Sequence, residues 1–481
     1  MSAAQCHFEP ALFRSRRQRL AERVGKRILL MGHRLQPRNY LANPQPFRQD
    51  STFLYFFGIT EPGSAAVIEP DGRTTLYLPP RTVDDALWHG EQPSLGAVAA
   101  SCGAEDARPN TELVPGDYAT LPVAEPGANA FAGALVGRTL DPTNLRGSGD
   151  AELFDAVVAA RMVRDMDEVL AMRWACWATK EAHVVGMEST RPGVTDSEVQ
   201  ALMEGVMALH GFPTAYPSIV TARGEVLHGH ATGEKLARGD LLLVDAGAEG
   251  PYGYASDVTR TWPVSGTFTP RQADVYDAVL AANRAGIEAV KPGARFRDIH
   301  LAACAVLTQA LVDWGLLRGT VDGLVEQGAH AVFFPHGVGH LIGLDVHDLE
   351  LFGDPALYGA RPRSGQFGTK FLRMDLDLRQ GMVVTIEPGL YWSPAILADR
   401  TLREVLGDSV EWVVAEQWVG LGGIRIEDDV LVTADGADVL TEAIPKRRDE
   451  IEEITGSGHT PRDRMAPLEA KCQLPEVGVR G

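Results

Sequence analysis

Four short segments of this sequence set acidic side chains or imidazoles among apolar or glycine-rich neighbours. Leu241–Asp245 is an apolar run that ends in an aspartate, and Asp257 follows after a Gly-Pro-Tyr-Gly turn. With Gly250-Pro251-Tyr252 as a three-residue hairpin loop, Asp245 and Asp257 stand directly opposite each other. Opposed residues share a face, with Cβ atoms about 4.5–5.5 Å apart. Two carboxylates so placed repel unless a cation joins them. Glu387 ends a second apolar run, Gly381-Met-Val-Val-Thr-Ile-Glu387, and Pro388-Gly389 turns the chain after it. In Gly423-Ile-Arg425-Ile-Glu427, period-two alternation puts Arg425 and Glu427 on one face. The fourth segment, His336-Gly-Val-Gly-His340-Leu-Ile-Gly-Leu-Asp-Val-His347, holds three of the chain's 13 histidines. His228 and His230 lie shortly before the first acidic run.

Hard carboxylate oxygens with an imidazole suit divalent ions in hydrolytic sites, and two ions about 3.5–4 Å apart need carboxylates that bridge. A second histidine could polarise a carbonyl or stabilise an oxyanion. The competing readings are plain: a register shift turning one aspartate to solvent, a loop cap for Glu387, an Arg425–Glu427 ion pair. Residue pattern alone leaves them open. No GxxxxGK[ST] loop, HExxH helix or GxSxG elbow is present.

The elements that must carry these groups read as an α/β protein in two main parts. Residues 1–150 form a small α/β domain: a basic helix near 11–24, then strand-like runs at Arg27–Met31, Phe53–Phe57, Ala65–Glu69 and Thr74–Leu78. Loops are expected around Pro122–Asn129 and Gly147-Ser148-Gly149. In residues 151–445 a long helix is expected from Asp165 to Glu188, and Thr195-Asp-Ser-Glu198 opens another as a capping box. Further helices are expected over Pro270–Val290 and Phe296–Trp314. Arg191-Pro-Gly and Lys291-Pro-Gly each join two helices, and each pair precedes one acidic strand, which suggests a duplicated unit around one site. From 446 to 481 periodicity lapses and a mobile tail is expected.

A formal charge of −19 argues against nucleic acid as a partner. Five scattered cysteines without CxxC spacing point to a reducing cytoplasm and away from a disulfide framework. The basic N-terminus lacks an apolar stretch behind it, so neither a signal peptide nor a membrane span is expected.

The run from His228 to Glu427 resembles the aminopeptidase P/prolidase group of pita-bread metallopeptidases. The motifs are Val-Asp245-Ala-Gly-Ala-Glu, Tyr-Ala-Ser-Asp257-Val-Thr-Arg-Thr, the His336–His347 segment, Thr-Ile-Glu387-Pro-Gly-Leu-Tyr and Gly-Ile-Arg425-Ile-Glu427-Asp. Pro46-Phe-Arg-Gln-Asp-Ser-Thr-Phe-Leu-Tyr-Phe-Phe-Gly58 resembles the same group's N-terminal domain. The resemblance implies a creatinase/prolidase-like α/β domain followed by a pita-bread catalytic domain with pseudo-twofold duplication. It implies two divalent ions, usually Mn2+ with Zn2+ or Co2+ possible, on Asp245, Asp257, His340, Glu387 and Glu427. Asp257 and Glu427 would bridge. His228 and His347 would serve catalysis beside Glu387, and His336 and Arg425 would face substrate. The implied reaction is hydrolysis of the bond before a penultimate proline by hydroxide held between the two ions, in a homodimer or homotetramer. The neighbouring possibilities are an Xaa-Pro dipeptidase and, more distantly, an inactive pita-bread binding module. The Asp245-to-Asp257 spacing is one residue longer than the group's usual hairpin. Segments 349–379 and 392–422 are also longer than in compact members, and could form a lid or an interface.

Overall fold

The computed structural model describes residues 8–464, which form two compact units. One takes the chain up to Ala171 together with Tyr252–Tyr254 and Gly343–Arg361; the other takes Met172–Pro251, Ala255–Ile342 and the chain from Pro362.

The first unit is built on strands β1 (Ile28–Met31), β2 (Ala65–Ile68), β3 (Thr74–Leu78), β4 (Asp106–Pro109) and β5 (Ala119–Thr120), ordered β4-β3-β2-β1-β5. Every residue of β1 and β2 is buried, which is why they read as unbroken apolar runs rather than alternating ones. Leu29, Met31, Ala65 and Val67 pack with Ala128, Ala132 and Leu135 of the helix Pro126–Val136. That helix begins inside a stretch expected to be a loop. Its proline occupies the first turn, where no amide hydrogen is needed, and Glu125 accepts from the Gly127 and Ala128 amides.

Phe53–Phe57 is not a strand but most of a helix, Ser51–Phe57. Aromatic residues favour strands, yet here the two ends decide. The Asp50 carboxylate accepts from the Phe53 amide at 2.8 Å, and Gly58 closes the helix in the left-handed region.

The second unit repeats one theme. Helices Met166–Ser189 (its first residues counted with the other unit) and Asp196–Leu209 are followed by β6 (Ile219–Thr221), β7 (Leu241–Asp245) and β8 (Thr259–Pro263), an antiparallel sheet ordered β6-β7-β8. Helices Pro270–Ala289 and Phe296–Asp313 precede the second set. There β9 (Val383–Ile386), β12 (Asp428–Val432) and β13 (Ala437–Val439) form an antiparallel sheet ordered β13-β12-β9, while β10 (Gly389–Tyr391) pairs with β11 (Gly423–Arg425). The expected capping box at Thr195 is present, and Thr269 and Gln272 form a second one. Segment 392–422 folds as short helices, with Trp392 stacked on Trp418 at 5.2 Å. Arg448–Ile454, in the stretch expected to be a tail, is a helix with Ile451 fully buried; residues 465–481 of that stretch lie outside the described residues. No helix among the described residues is long and apolar enough to cross a membrane.

Candidate metal centre

The hairpin pairing sets the first two carboxylates. Asp245 pairs with Thr259, and the same register runs on through Glu249 opposite Ala255. Asp257 is therefore two residues along from the position opposite Asp245, and the loop is 250–254 rather than three residues. A shift of two preserves the face, so the two aspartates lie diagonally on one side of the hairpin, within reach of a shared centre. Gly247 permits this: a Cβ there would stand 1.8 Å from the Ser256 carbonyl oxygen.

The second pair of ligand candidates comes from a neighbouring strand contact. The Thr385 amide donates to the His340 carbonyl at 2.8 Å and the Glu387 amide to that of Val338 at 2.7 Å. His340 and Glu387 are thus held on adjacent backbones. A Cβ on Gly339 would lie 1.9 Å from the Thr385 carbonyl oxygen, so only glycine allows the approach. Glu427 joins the two halves: its amide donates to the Thr259 carbonyl at 3.0 Å, and Thr259 Oγ1 donates to its carboxylate at 2.7 Å.

The five side chains converge. Ligand atoms of Asp245, Asp257 and Glu427 lie within 4.8 Å of one another, as do those of His340, Glu387 and Glu427. Glu427 belongs to both sets, which is the arrangement a pair of ions with a shared carboxylate requires. His340 Nδ1 lies 3.0 Å from the Leu341 carbonyl, and that hydrogen bond assigns its proton to Nδ1 and leaves Nε2 as a lone-pair donor. Nε2 faces Asp257 at 3.4 Å and Glu387 at 3.8 Å.

Four carboxylates here exceed what Arg425 and Arg373 can balance. Burial, and then repulsion from Asp257, Glu387 and Asp245, raises Glu427 well above the ordinary carboxylate range. Burial outweighs the Arg425 guanidinium in raising Asp245, and pushes Glu387 to about 7 against the pull of Arg425. Two divalent cations would offset this excess, and the oxygen-rich donor set with one imidazole fits them.

Arg425 does not pair with Glu427. It bonds Asp245 at 2.6 Å, Thr259 Oγ1 at 2.9 Å and the Tyr391 hydroxyl at 3.1 Å. His336 also reaches Tyr391, at 2.8 Å, and burial with the nearby Arg425 lowers its pKa to about 3, so it stays neutral. His228 is exposed on the loop after β6. His347 belongs to the other unit, on a segment anchored there by Asp345 and Asp348, which bond Arg161 at 2.8 and 2.6 Å.

Residue reading missed three contributors. The Tyr216 hydroxyl lies 2.6 Å from Asp245 and 2.5 Å from Asp257, from a loop tyrosine with no sequence pattern around it. Tyr391 stood inside a quoted motif without a role. Asp429 accepts the Asp257 amide at 3.1 Å and lies 3.6 Å from the Cys176 thiol. The adjacent Asp428 bonds Arg260 and Lys446 instead.

A duplicated helix-and-sheet frame with carboxylates and a histidine gathered at its centre defines the class, a metal-dependent hydrolase. Residues 171–434 match the model of metallopeptidase family M24, and residues 13–115 that of the aminopeptidase P N-terminal domain. The chain is 31% identical to human Xaa-Pro dipeptidase, over 92% of each chain, and 31% identical to the Escherichia coli Xaa-Pro aminopeptidase, over 92% of this chain and 97% of that one. The structure of Pseudomonas aeruginosa aminopeptidase PepP superimposes with a TM-score of 0.78 at 28% identity, covering 94% of this chain and 99% of that one. The chain belongs to metallopeptidase family M24, with an aminopeptidase P N-terminal domain ahead of a pita-bread catalytic domain.

Proposed function

We propose that this protein removes the N-terminal residue from peptides whose second residue is proline. The observation that carries the reading is the pair of ligand sets sharing Glu427, in a chain alike over nearly its whole length to enzymes named for Xaa-Pro bonds. Asp257 and Glu427 would hold both ions, Asp245 one of them, and His340 and Glu387 the other. Two divalent ions, Mn2+ first and Zn2+ or Co2+ as substitutes, would supply Lewis acidity for the scissile carbonyl and a lowered pKa for the attacking water.

The protein's own side chains do the rest. Glu387, part-buried beside His340, would accept the water's proton and pass it to the proline nitrogen. Arg425 bonds Asp245 and, with His336 and Tyr391, makes one hydrogen-bonded wall toward substrate. His228 and His347 are assigned to the oxyanion on the strength of the resemblance. The enzyme is further proposed to work in the cytoplasm as a homodimer or homotetramer, its domains falling at 1–150 and from 151 to about 445.

Removing the Glu387 proton acceptor tests the chemistry. Glu387→Gln should lower kcat by roughly 10²–10⁴-fold, and His347→Ala by roughly 10²–10³-fold, on an Xaa-Pro-Xaa peptide. Near-native turnover in either sinks that residue's role. The likeness to human Xaa-Pro dipeptidase favours a second reading, confined to dipeptides. Rates on an Xaa-Pro dipeptide and on longer Xaa-Pro peptides separate the two.

A further inference from the structure

A second cluster of metal-binding side chains lies in the catalytic unit, away from the five carboxylate and histidine ligands. His300 and Cys304 are one turn apart on the helix Phe296–Asp313, a spacing that puts both on the same face. His330 comes from the short turn Ala329–Val332. All three are fully buried, and one ligand atom from each lies within 4.8 Å of the other two. The Cys304 sulfur is 3.5 Å from His300 Nε2. Ligands sharing one ion at bond lengths of ~2.0–2.3 Å stand roughly 3.3–3.9 Å apart, so small side-chain rotations close the set.

Neutral hydrogen bonding, such as that between Cys304 and His300, accounts for only part of this cluster. Neither ring nitrogen of His330 makes a hydrogen bond of good distance and angle, although the residue is wholly enclosed; the Leu324 backbone is near enough only to raise its pKa against the larger effect of burial. Buried polar atoms are almost always well satisfied, and an imidazole without a well-formed hydrogen bond, beside a thiol and a second imidazole, is a set of lone pairs open to a metal ion. Burial keeps both rings neutral, His300 at about 3 and His330 at about 4, so their lone pairs are available.

Charge decides which ion fits. The charged neighbour felt by His300 is Arg297, one turn back and half-buried, and the metal-ligand cluster contains no carboxylate. A divalent ion with one thiolate would leave a net positive charge in the interior beside that guanidinium, at a heavy desolvation penalty. A monovalent ion with one thiolate is neutral. Sulfur and imidazole are also the donors that soft ions prefer, and the three available donors leave no fourth ligand for a tetrahedral zinc site. We propose that His300, Cys304 and His330 form a closed three-coordinate site for one soft monovalent cation, copper(I), distinct from the dinuclear centre. On binding, the Cys304 S–H bond is replaced by a sulfur–metal bond and the proton leaves to solvent. Both imidazoles enter neutral, and no electron is transferred.

The Phe334 ring, 5.6 Å from His300 and edge-on to His336 at 4.8 Å, stands between this site and the substrate wall. A filled site would therefore buttress that wall without touching substrate.

The test is an anaerobic titration of the reduced full-length chain with copper(I), against a colorimetric copper(I) chelator and with Mn2+ saturating. Wild type should hold one equivalent more than Cys304→Ser and His330→Phe, at least 100-fold tighter than any residual binding. X-ray absorption should show one sulfur and two nitrogens around that copper, with the sulfur lost in C304S. Circular dichroism and thermal unfolding identify a variant that fails to fold, in which case the other variant decides. Equal uptake in wild type and a folded variant would overturn the proposal, as would Zn2+ outcompeting copper(I) for the site. The readout is metal content, so peptidase activity has no bearing on it.

Discussion

Asp257, Tyr216 and Asp429 form a chain of dependence around one carboxylate. Asp257 receives the Tyr216 hydroxyl on its side chain, and its backbone amide is taken up by Asp429. Tyr216 has one hydroxyl proton but touches two aspartates, so without a cation the second short contact needs a proton on a carboxyl. That fits the raised position of Asp245, where burial outweighs the nearby Arg425. Asp429 touches neither the other carboxylates of the cluster nor, in the proposed reaction, the substrate, yet it fixes the backbone from which Asp257 projects. Replacing Asp429 with alanine leaves a buried amide unsatisfied, at about 1–3 kcal/mol, and should weaken metal binding by roughly 10–100-fold. Calorimetric titration of the metal-free variant with Mn2+ measures this, and unchanged affinity would remove Asp429 from the site's support.

Strand pairing sets the precision of the site. The contact between the 338–340 backbone and β9 brings His340 and Glu387 side by side, and it exists because Gly339 has no side chain. Gly339→Ala should separate those backbones, lower stability by about 1–3 kcal/mol or more, and cost metal affinity besides. Chemical denaturation gives the first effect and metal content the second. The helix Ser51–Phe57 depends on its ends in the same way. Asp50→Ala should destabilise by about 1 kcal/mol or more through loss of the cap and of the His33 contact at 3.7 Å, with the unfolding midpoint as the measure.

Across the whole molecule, buried neutral histidines contribute to the response to acid. Burial lowers His183 and His300 to about 3, and His330 to about 4. Their folded pKa values lie below the unfolded value near 6.5, so their contribution is present above that value and is lost as pH falls toward 3–4. Each adds at most about 1.4 kcal/mol per pH unit in that window. Glu387 works in the opposite direction in metal-free protein. Its folded value of about 7 lies above the unfolded one, so its contribution is full below about 4.5 and is lost as pH rises through 7. Divalent ions should therefore stabilise the protein more at pH 8 than at pH 6. Thermal unfolding with and without Mn2+ at the two values checks this; equal shifts would contradict the titration of the cluster.

Sequence alone determined which residue types could meet. Asp245, Asp257, Glu387 and Glu427 each sat at the end of an apolar run, or beside one, and the histidine cluster stood out by its density, while solvent-facing, capping and ion-pair readings stayed open. Local rules sufficed for the long helices, because caps such as Thr195 with Glu198 are contained within four residues. The tertiary structure decided the register of the Asp245–Asp257 hairpin, the pairing of Arg425 with Asp245, and the roles of Tyr216 and Asp429. Those depend on contacts between residues as far as 180 positions apart, such as Arg425 with Asp245, which leave no periodic trace in the chain. The helix at Ser51–Phe57 shows the same limit at short range: aromatic propensity favours a strand over only a few residues, and two well-placed caps outweigh it.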